Sequence, residues 1–159
     1  MQPTLNPDSS RWRDIGLFNR FDIHSMHNYK RDDIVCLRSP EYKDRVLIKR
    51  ILAVEGDTVR TLPPYPTREV RIPPGHVWVE GDEPFNSDDS NRFGPVPAAL
   101  LESRLILLLW PLNRIGQVKI ETPSTTSGPQ YRQAVAQLER EKLRRMRVTR
   151  CKKDRIEVK

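Results

Sequence analysis

Residues 45–54 read Arg-Val-Leu-Ile-Lys-Arg-Ile-Leu-Ala-Val, the most apolar segment of the chain, and Glu55-Gly56-Asp57 closes it. A run of branched aliphatic residues that ends in a turn signal predicts a strand. Side chains alternate across a strand. Leu47, Lys49, Ile51 and Ala53 therefore share one face, and Val46, Ile48, Arg50 and Leu52 share the other. A lysine thus stands in an apolar stripe.

Reading outward, short strands recur. Asp33–Leu37 (DIVCL) precedes the central run and is bounded by Arg38-Ser39-Pro40. Thr58–Leu62 follows it, and Pro63–Pro74 is a proline-rich loop around a short strand at Glu69–Ile72. His76–Glu80 (HVWVE) alternates as a strand, and Arg104–Trp110 is a buried strand closed by Pro111. Pro97–Leu101 predicts one helical turn, and residues 1–30 are polar and irregular. Fourteen prolines against seven glycines oppose a helical bundle. The predicted fold is all-β, mainly antiparallel. Thr122–Pro129 (TPSTTSGP) reads as a linker. Tyr131–Met146 reads as a helix whose narrow apolar stripe of Ala134, Leu138 and Val135 predicts a solvated or partly disordered element. The expected division is a β domain over 1–121, a linker over 122–129 and a basic helical or disordered tail over 130–159.

The charge is localised. Residues 129–159 hold eleven of the 28 Lys/Arg and only four of the 21 Asp/Glu, so the whole net charge of +7 belongs to the tail. The neutral remainder gives no electrostatic footprint for nucleic acid. The tail offers only Tyr131 for stacking, so no nucleic acid is expected. Its basic cluster suits an anionic lipid surface, at about 1 kcal/mol per Lys/Arg, or an acidic partner. Cys36 and Cys151 form no disulfide framework, and with three scattered histidines no metal site is expected. No apolar stretch reaches 18 residues, and the start lacks the pattern of a signal peptide.

Two places hold candidate chemistry. Burial disfavours the charged form of an amine, so a desolvated Lys49 can serve as a general base near neutral pH. The plain alternative is an edge-strand lysine whose stem packs while its head reaches water. The second place is the loop Gly81–Val96 (GDEPFNSDDSNRFGPV), dense in turn formers. It lacks the carboxylate spacing and terminal Glu of an EF-hand, which excludes that calcium site. It is either a self-satisfied surface loop or one that orients a catalytic partner through Ser87.

These residues carry a resemblance. Ile48-Lys49-Arg50, five residues, then Gly56-Asp57 resembles the lysine box of type I signal peptidases. Gly81-Asp82-x4-Ser87-x-Asp89-Ser90-x2-Phe93-Gly94 resembles their downstream box, in the same order and at similar separation. The wording HVWVEGD, SDDSNRFGPV and LLLWPLNRIG is most similar to the subunit 2 type of the mitochondrial inner membrane branch, over roughly residues 1–116. The resemblance implies a β-sheet protease domain and a Ser/Lys endopeptidase that removes leader or sorting peptides from intermembrane-space proteins. Lys49 would be the general base, Ser87 the hydroxyl that orients it, and Asp89 the support of the loop. Asn91 stands where bacterial members usually have Arg, so a salt bridge to Asp89 is not expected. The resemblance also implies no metal or organic cofactor and a sister catalytic subunit forming a heterodimer. It implies precursor leader peptides as substrates, contact with a membrane lipid surface, and a place at the inner membrane facing the intermembrane space.

The family's nucleophile box reads Ser-Met-x-Pro-Thr-Leu, and this chain opens Met1-Gln2-Pro3-Thr4-Leu5. The match starts one residue after the serine. The nucleophile, its oxyanion-hole amide and the anchor are therefore expected upstream of Met1, with Met1, Gln2 and Pro3 on the substrate-side strand. Ser25-Met26 lacks the x-Pro-Thr-Leu continuation, and Ser9 and Ser10 sit in a polar stretch, so none substitutes. The 159-residue polypeptide by itself is expected not to cleave peptides. Two explanations separate on the codons before Met1: an internal methionine of a longer peptidase, or a catalytically inactive peptidase-like binding subunit. A basic nucleic-acid adaptor is a further rival, marked by RNA or heparin retention that depends on residues 129–159.

Overall fold

The strand predicted around Lys49 is the structural centre of the molecule. The computed structural model describes residues 4–6, 13–83, 87–118 and 129–151. Nine strands are described: β1 (Ile15–Asn19), β2 (Ile34–Arg38), β3 (Val46–Ala53), β4 (Thr58–Arg60), β5 (Glu69–Arg71), β6 (His76–Glu80), β7 (Val96–Pro97), β8 (Leu101–Trp110) and β9 (Val148–Thr149). Short helices α1 (Phe21–His24) and α2 (Ser90–Phe93) and the longer α3 (Pro129–Met146) accompany them. Six strands form one sheet in the order β1-β8-β2-β3-β6-β7, and three form a second in the order β5-β4-β9. Every described pairing is antiparallel. The predicted fold class is the one observed.

β3 lies between β2 and β6, with Val35 opposite Lys49 and Leu37 opposite Leu47 on one side. On the other side Arg50 faces Glu80 and Ile51 faces Val79, and the register then shifts so that Ala53 faces Trp78. The shift lets one strand feed two cores. Leu47 and Ile51 pack with Val35, Leu37, Val77, Val79, Val96 and Leu101. Leu52 and Ala53 pack with Val59, Ile72 and Trp78. From Lys49 onward every residue of β3 is buried, as expected of a strand covered on both faces. The edge-strand reading of Lys49 is therefore corrected: a central strand leaves its side chain no open flank.

The N-terminal third departs from expectation. Residues 15–19, read as irregular, form β1 against β8, with Leu17 opposite Leu107 and Phe18 opposite Leu105. Their weak signal has a physical cause, since Ile15 and Leu17 are exposed on an outer strand rather than packed in a core. β8 also starts earlier than predicted, at Leu101.

The C-terminal part departs further. Expected as a solvated appendage, α3 and the residues after it join the domain. Glu141 and Arg144 of α3 are buried, while Leu143 and Met146 are exposed. The docked face is thus polar. β9 adds to β4, with Thr58 opposite Thr149 and Val59 opposite Val148. The Cys151 amide donates to Asp57 Oδ1 at 2.9 Å. Asp57 is wholly buried and also receives the Arg31 fork (Nε to Oδ2 2.7 Å, Nη2 to Oδ1 2.7 Å) and the Val54 amide at 3.0 Å. The Gly56-Asp57 turn of the sequence motif is therefore a knot joining β3, the loop before β2 and the C-terminal strand. Residues 122–128 and 152–159 of the predicted linker and tail lie outside the described residues. Among the described residues no helix is long and apolar enough to cross a membrane.

Candidate active site

The site is built at the joint of β3 and β6. β3 supplies Lys49 in mid-strand, paired with Val35 of β2 on one side and directly before the β6 ladder, which starts at Arg50–Glu80, on the other. β6 ends at Glu80, and the chain turns through Gly81-Asp82 before returning at Ser87. There Lys49 Nζ donates to Ser87 Oγ at 2.7 Å. Lys49 is 8 % exposed. Burial pushes its amine below the ordinary lysine range, with Asp89 and Asp88 acting in the opposite direction. Desolvation wins because the carboxylates stabilise the ammonium less than lost water destabilises it.

Ser87 is seated by a glycine. A Cβ on Gly81 would lie 2.2 Å from Ser87 Oγ and 2.8 Å from its Cβ. Any side chain at 81 would evict the hydroxyl from Lys49, which explains the Gly of the Gly-Asp pair. The Gly81 amide in turn donates to Asp89 Oδ2 at 3.2 Å.

Asp89 is buried and caps α2, accepting the Asn91 amide on Oδ1 at 3.0 Å. Burial raises its pKa above the usual carboxylate value, partly offset by hydrogen bonds from the Gly81 amide, the Ser87 hydroxyl and the Asn91 amide. Ser87 thus accepts from Lys49 and bonds to Asp89. One oxygen links the two candidate residues. Among the described residues Asp89 makes no ion pair; the Asn91 Nδ2 contact at 3.2 Å stands in that place. Asn91 also donates to Glu80 Oε1 at 2.9 Å and accepts the Leu62 amide at 2.8 Å. The neutral amide of Asn91 does more than the sequence suggested, joining Glu80, Asp89 and the Leu62 amide.

A second cluster lies directly behind. Arg50 forks onto Asp82, with Nε to Oδ1 at 3.0 Å and Nη2 to Oδ2 at 3.1 Å. Burial works against the Asp82 carboxylate, yet Arg50, reinforced by Arg144, holds it below the usual range. Arg50 Nη2 also reaches Thr4 Oγ1 at 3.4 Å, and Arg114 Nη2 donates to the Thr4 carbonyl at 2.7 Å. Thr4 and Leu5 are buried. The chain just after Pro3 is therefore anchored at the Arg50–Asp82 corner; Met1, Gln2 and Pro3 themselves lie outside the described residues. Ser25, weighed as a substitute nucleophile, is exposed at the end of α1.

Sequence reasoning brought together Lys49, Ser87 and Asp89. It missed Glu80, Asp82, Asn91, Arg50 and Arg144 as a buried polar network. The available signal was an arginine next to the motif lysine and three acidic residues beside glycine, which predicts paired charge.

The family described as "Signal peptidase, peptidase S26" matches residues 1–63 and 60–110. The chain belongs to the signal peptidase family. It is 44% identical over 122 residues to a mitochondrial inner membrane protease subunit 2 from Schizosaccharomyces pombe, covering 76% of this chain and 66% of that protein. A Danio rerio subunit 2 is 42% identical over 123 residues, covering 77% and 66%. A Homo sapiens subunit 1 of that protease is 38% identical over 118 residues, covering 73% and 68%. A signal peptidase I structure from Enterococcus faecalis V583 superposes with a TM-score of 0.44 at 24% identity, over 49% of this chain and 97% of the other. The chain spans just under two thirds, 66%, of the length of the two subunit 2 relatives. α3 and β9 follow the region matched to the family, which ends at residue 110.

Proposed function

We propose that the protein is a serine endopeptidase of the Ser/Lys type that removes leader or sorting peptides. Its place is the mitochondrial inner membrane, facing the intermembrane space, in a heterodimer with a sister catalytic subunit. The observation that supports this most is the buried amine of Lys49 held 2.7 Å from Ser87 Oγ. The names of the relatives support the location and the paired subunits.

Lys49 is the general base. A neutral amine has two N–H bonds and one lone pair. One N–H is engaged by Ser87, whose own hydroxyl is bonded to Asp89, so the lone pair is confined to the remaining tetrahedral positions of Nζ. It takes the proton of the attacking serine as that oxygen adds to the scissile carbonyl, then returns it to the leaving amine. Ser87 orients the base, and Asp89 supports the loop. The attacking serine belongs to the family's nucleophile box, whose Pro-Thr-Leu continuation is Pro3-Thr4-Leu5 here.

The test is leader-peptide cleavage by the complete protein assembled with its partner. Lys49→Ala should lower turnover by about a thousandfold or more, as when one member of a catalytic unit is removed. Ser87→Ala should cost part of the ~10²–10⁴ that general-base catalysis contributes. Turnover that survives Lys49→Ala in the complete protein would sink the reading.

A further inference from the structure

The docked face of α3 is a polar stripe: Gln137, Glu141 and Arg144 recur at i, i+4 and i+7, one side of a helix. Gln137 and Arg144 contact the site's supports, and Glu141 braces Arg144. Gln137 Nε2 reaches Thr4 Oγ1 at 3.4 Å. Arg144 Nη1 donates to Asp82 Oδ1 at 2.8 Å, and its Nη2 reaches the Asp82 and Gly81 carbonyls at 3.3 and 3.5 Å. Glu141 braces Arg144 at 3.2 Å and accepts from Arg145 Nε at 3.1 Å. Just beyond the helix, Arg147 pairs with Glu80 and donates to the Arg60 carbonyl at 3.0 Å. Two arginines of one segment therefore grip Glu80 and Asp82, the residues on either side of Gly81. Gly81 is the residue against which Ser87 rests.

We propose that the C-terminal segment from Gln137 to Arg147 is a clamp that sets the position of Ser87 against Lys49, with Arg144 as its principal positioning residue. This rests on the reading of Lys49 and Ser87 as a catalytic pair, but the clamp itself is a matter of geometry. The chain of contact is short. Arg144 holds the Gly81-Asp82 backbone, Gly81 backs onto Ser87, and Ser87 accepts from Lys49. The same helix touches Thr4, so it ties the Thr4 end of the nucleophile-box sequence to the Gly-Asp turn. The clamp lies after the family-matched region.

Arg144→Gln isolates the effect, because both acidic partners keep another arginine. Asp82 retains the Arg50 fork, and Glu141 retains Arg145. The experiment is amide hydrogen exchange on the full chain. The Gly81 amide, which donates to Asp89, should exchange at least tenfold faster in Arg144→Gln. Val35 and Leu37 amides of the central sheet should stay unchanged. Arg144→Lys keeps the charge on Asp82 but loses the fork to the carbonyls, so it should give an intermediate rate. If Arg144→Gln accelerates the central sheet as well, Arg144→Lys decides. Gly81 exchange that is unaltered in the variant that keeps its sheet protected overturns the clamp. Titration of Lys49 in the same samples separates the two ideas. A Lys49 that titrates normally in the unaltered chain defeats the catalytic reading, while Gly81 exchange still decides the clamp.

Discussion

Replacing Asp57 by Asn tests how the Gly-Asp motif after β3 holds the domain. Asp57 is fully buried and accepts four hydrogen bonds, two on each oxygen. Oδ1 takes Arg31 Nη2 and the Cys151 amide; Oδ2 takes Arg31 Nε and the Val54 amide. An asparagine has the same shape but only one acceptor oxygen. Whichever way its amide is turned, the NH2 faces two donors, so two bonds are lost and one belongs to Arg31. Hydrogen bonds to charged groups contribute about 1.5–3 kcal/mol each, so the expected loss at pH 7 is about 3–6 kcal/mol. For a chain of this size each kcal/mol lowers Tm by roughly 2–4 °C. The assay is urea unfolding of the two chains across pH. Burial opposes the Asp57 carboxylate, but the Arg31 fork and the Cys151 and Val54 amides hold it below its ordinary range. A depressed carboxyl stabilises above its unfolded value of about 3.9, and that stability is lost as pH falls through the lower folded value. The gap between the chains should therefore be full at pH 7 and close at the acid end. A loss under about 1 kcal/mol at pH 7, or a gap that widens on acidification, would refute the reasoning, since the charged bonds could not then be what holds the turn.

Gly81→Ala puts a methyl group 2.2 Å from Ser87 Oγ; overpacking of this kind costs about 1–3 kcal/mol, and peptide cleavage by the complete protein should fall far more than stability does. Asn91→Ala strands the Leu62 amide and removes a donor from both Glu80 and Asp89. It should destabilise by about 2–4 kcal/mol in thermal unfolding, as buried polar groups left unpaired do; a change under 0.5 kcal/mol, typical of surface positions, would show that the hub is dispensable.

The sequence revealed the sheet where apolar residues cluster and concealed structure where they do not. β2, β3, β6 and β8 announce themselves because their Val, Ile and Leu residues fill two cores. β1 was hidden because two of its large apolar residues, Ile15 and Leu17, face outward. α3 was misjudged for the opposite reason. Its docking side is Gln137, Glu141 and Arg144, so a search for an apolar stripe inspects the wrong face. The same blindness covers the site. Lys49, Ser87 and Asp89 could be picked out by motif, but ion pairs such as Arg50–Asp82 and Arg144–Asp82 join residues 32 and 62 positions apart. No local pattern records such pairing. Lys49 was ambiguous in one dimension because a strand's alternation does not say whether the strand is central; the topology decides it.

The most direct test of the account is the titration of the Lys49 amine, read by NMR of Nζ or by pH-dependent acylation of each lysine. If burial sets the state of this group, Lys49 should lose its proton below the ordinary lysine value of about 10.4. A Lys49 that titrates together with the surface lysines would contradict the claim that this strand delivers a neutral base to Ser87.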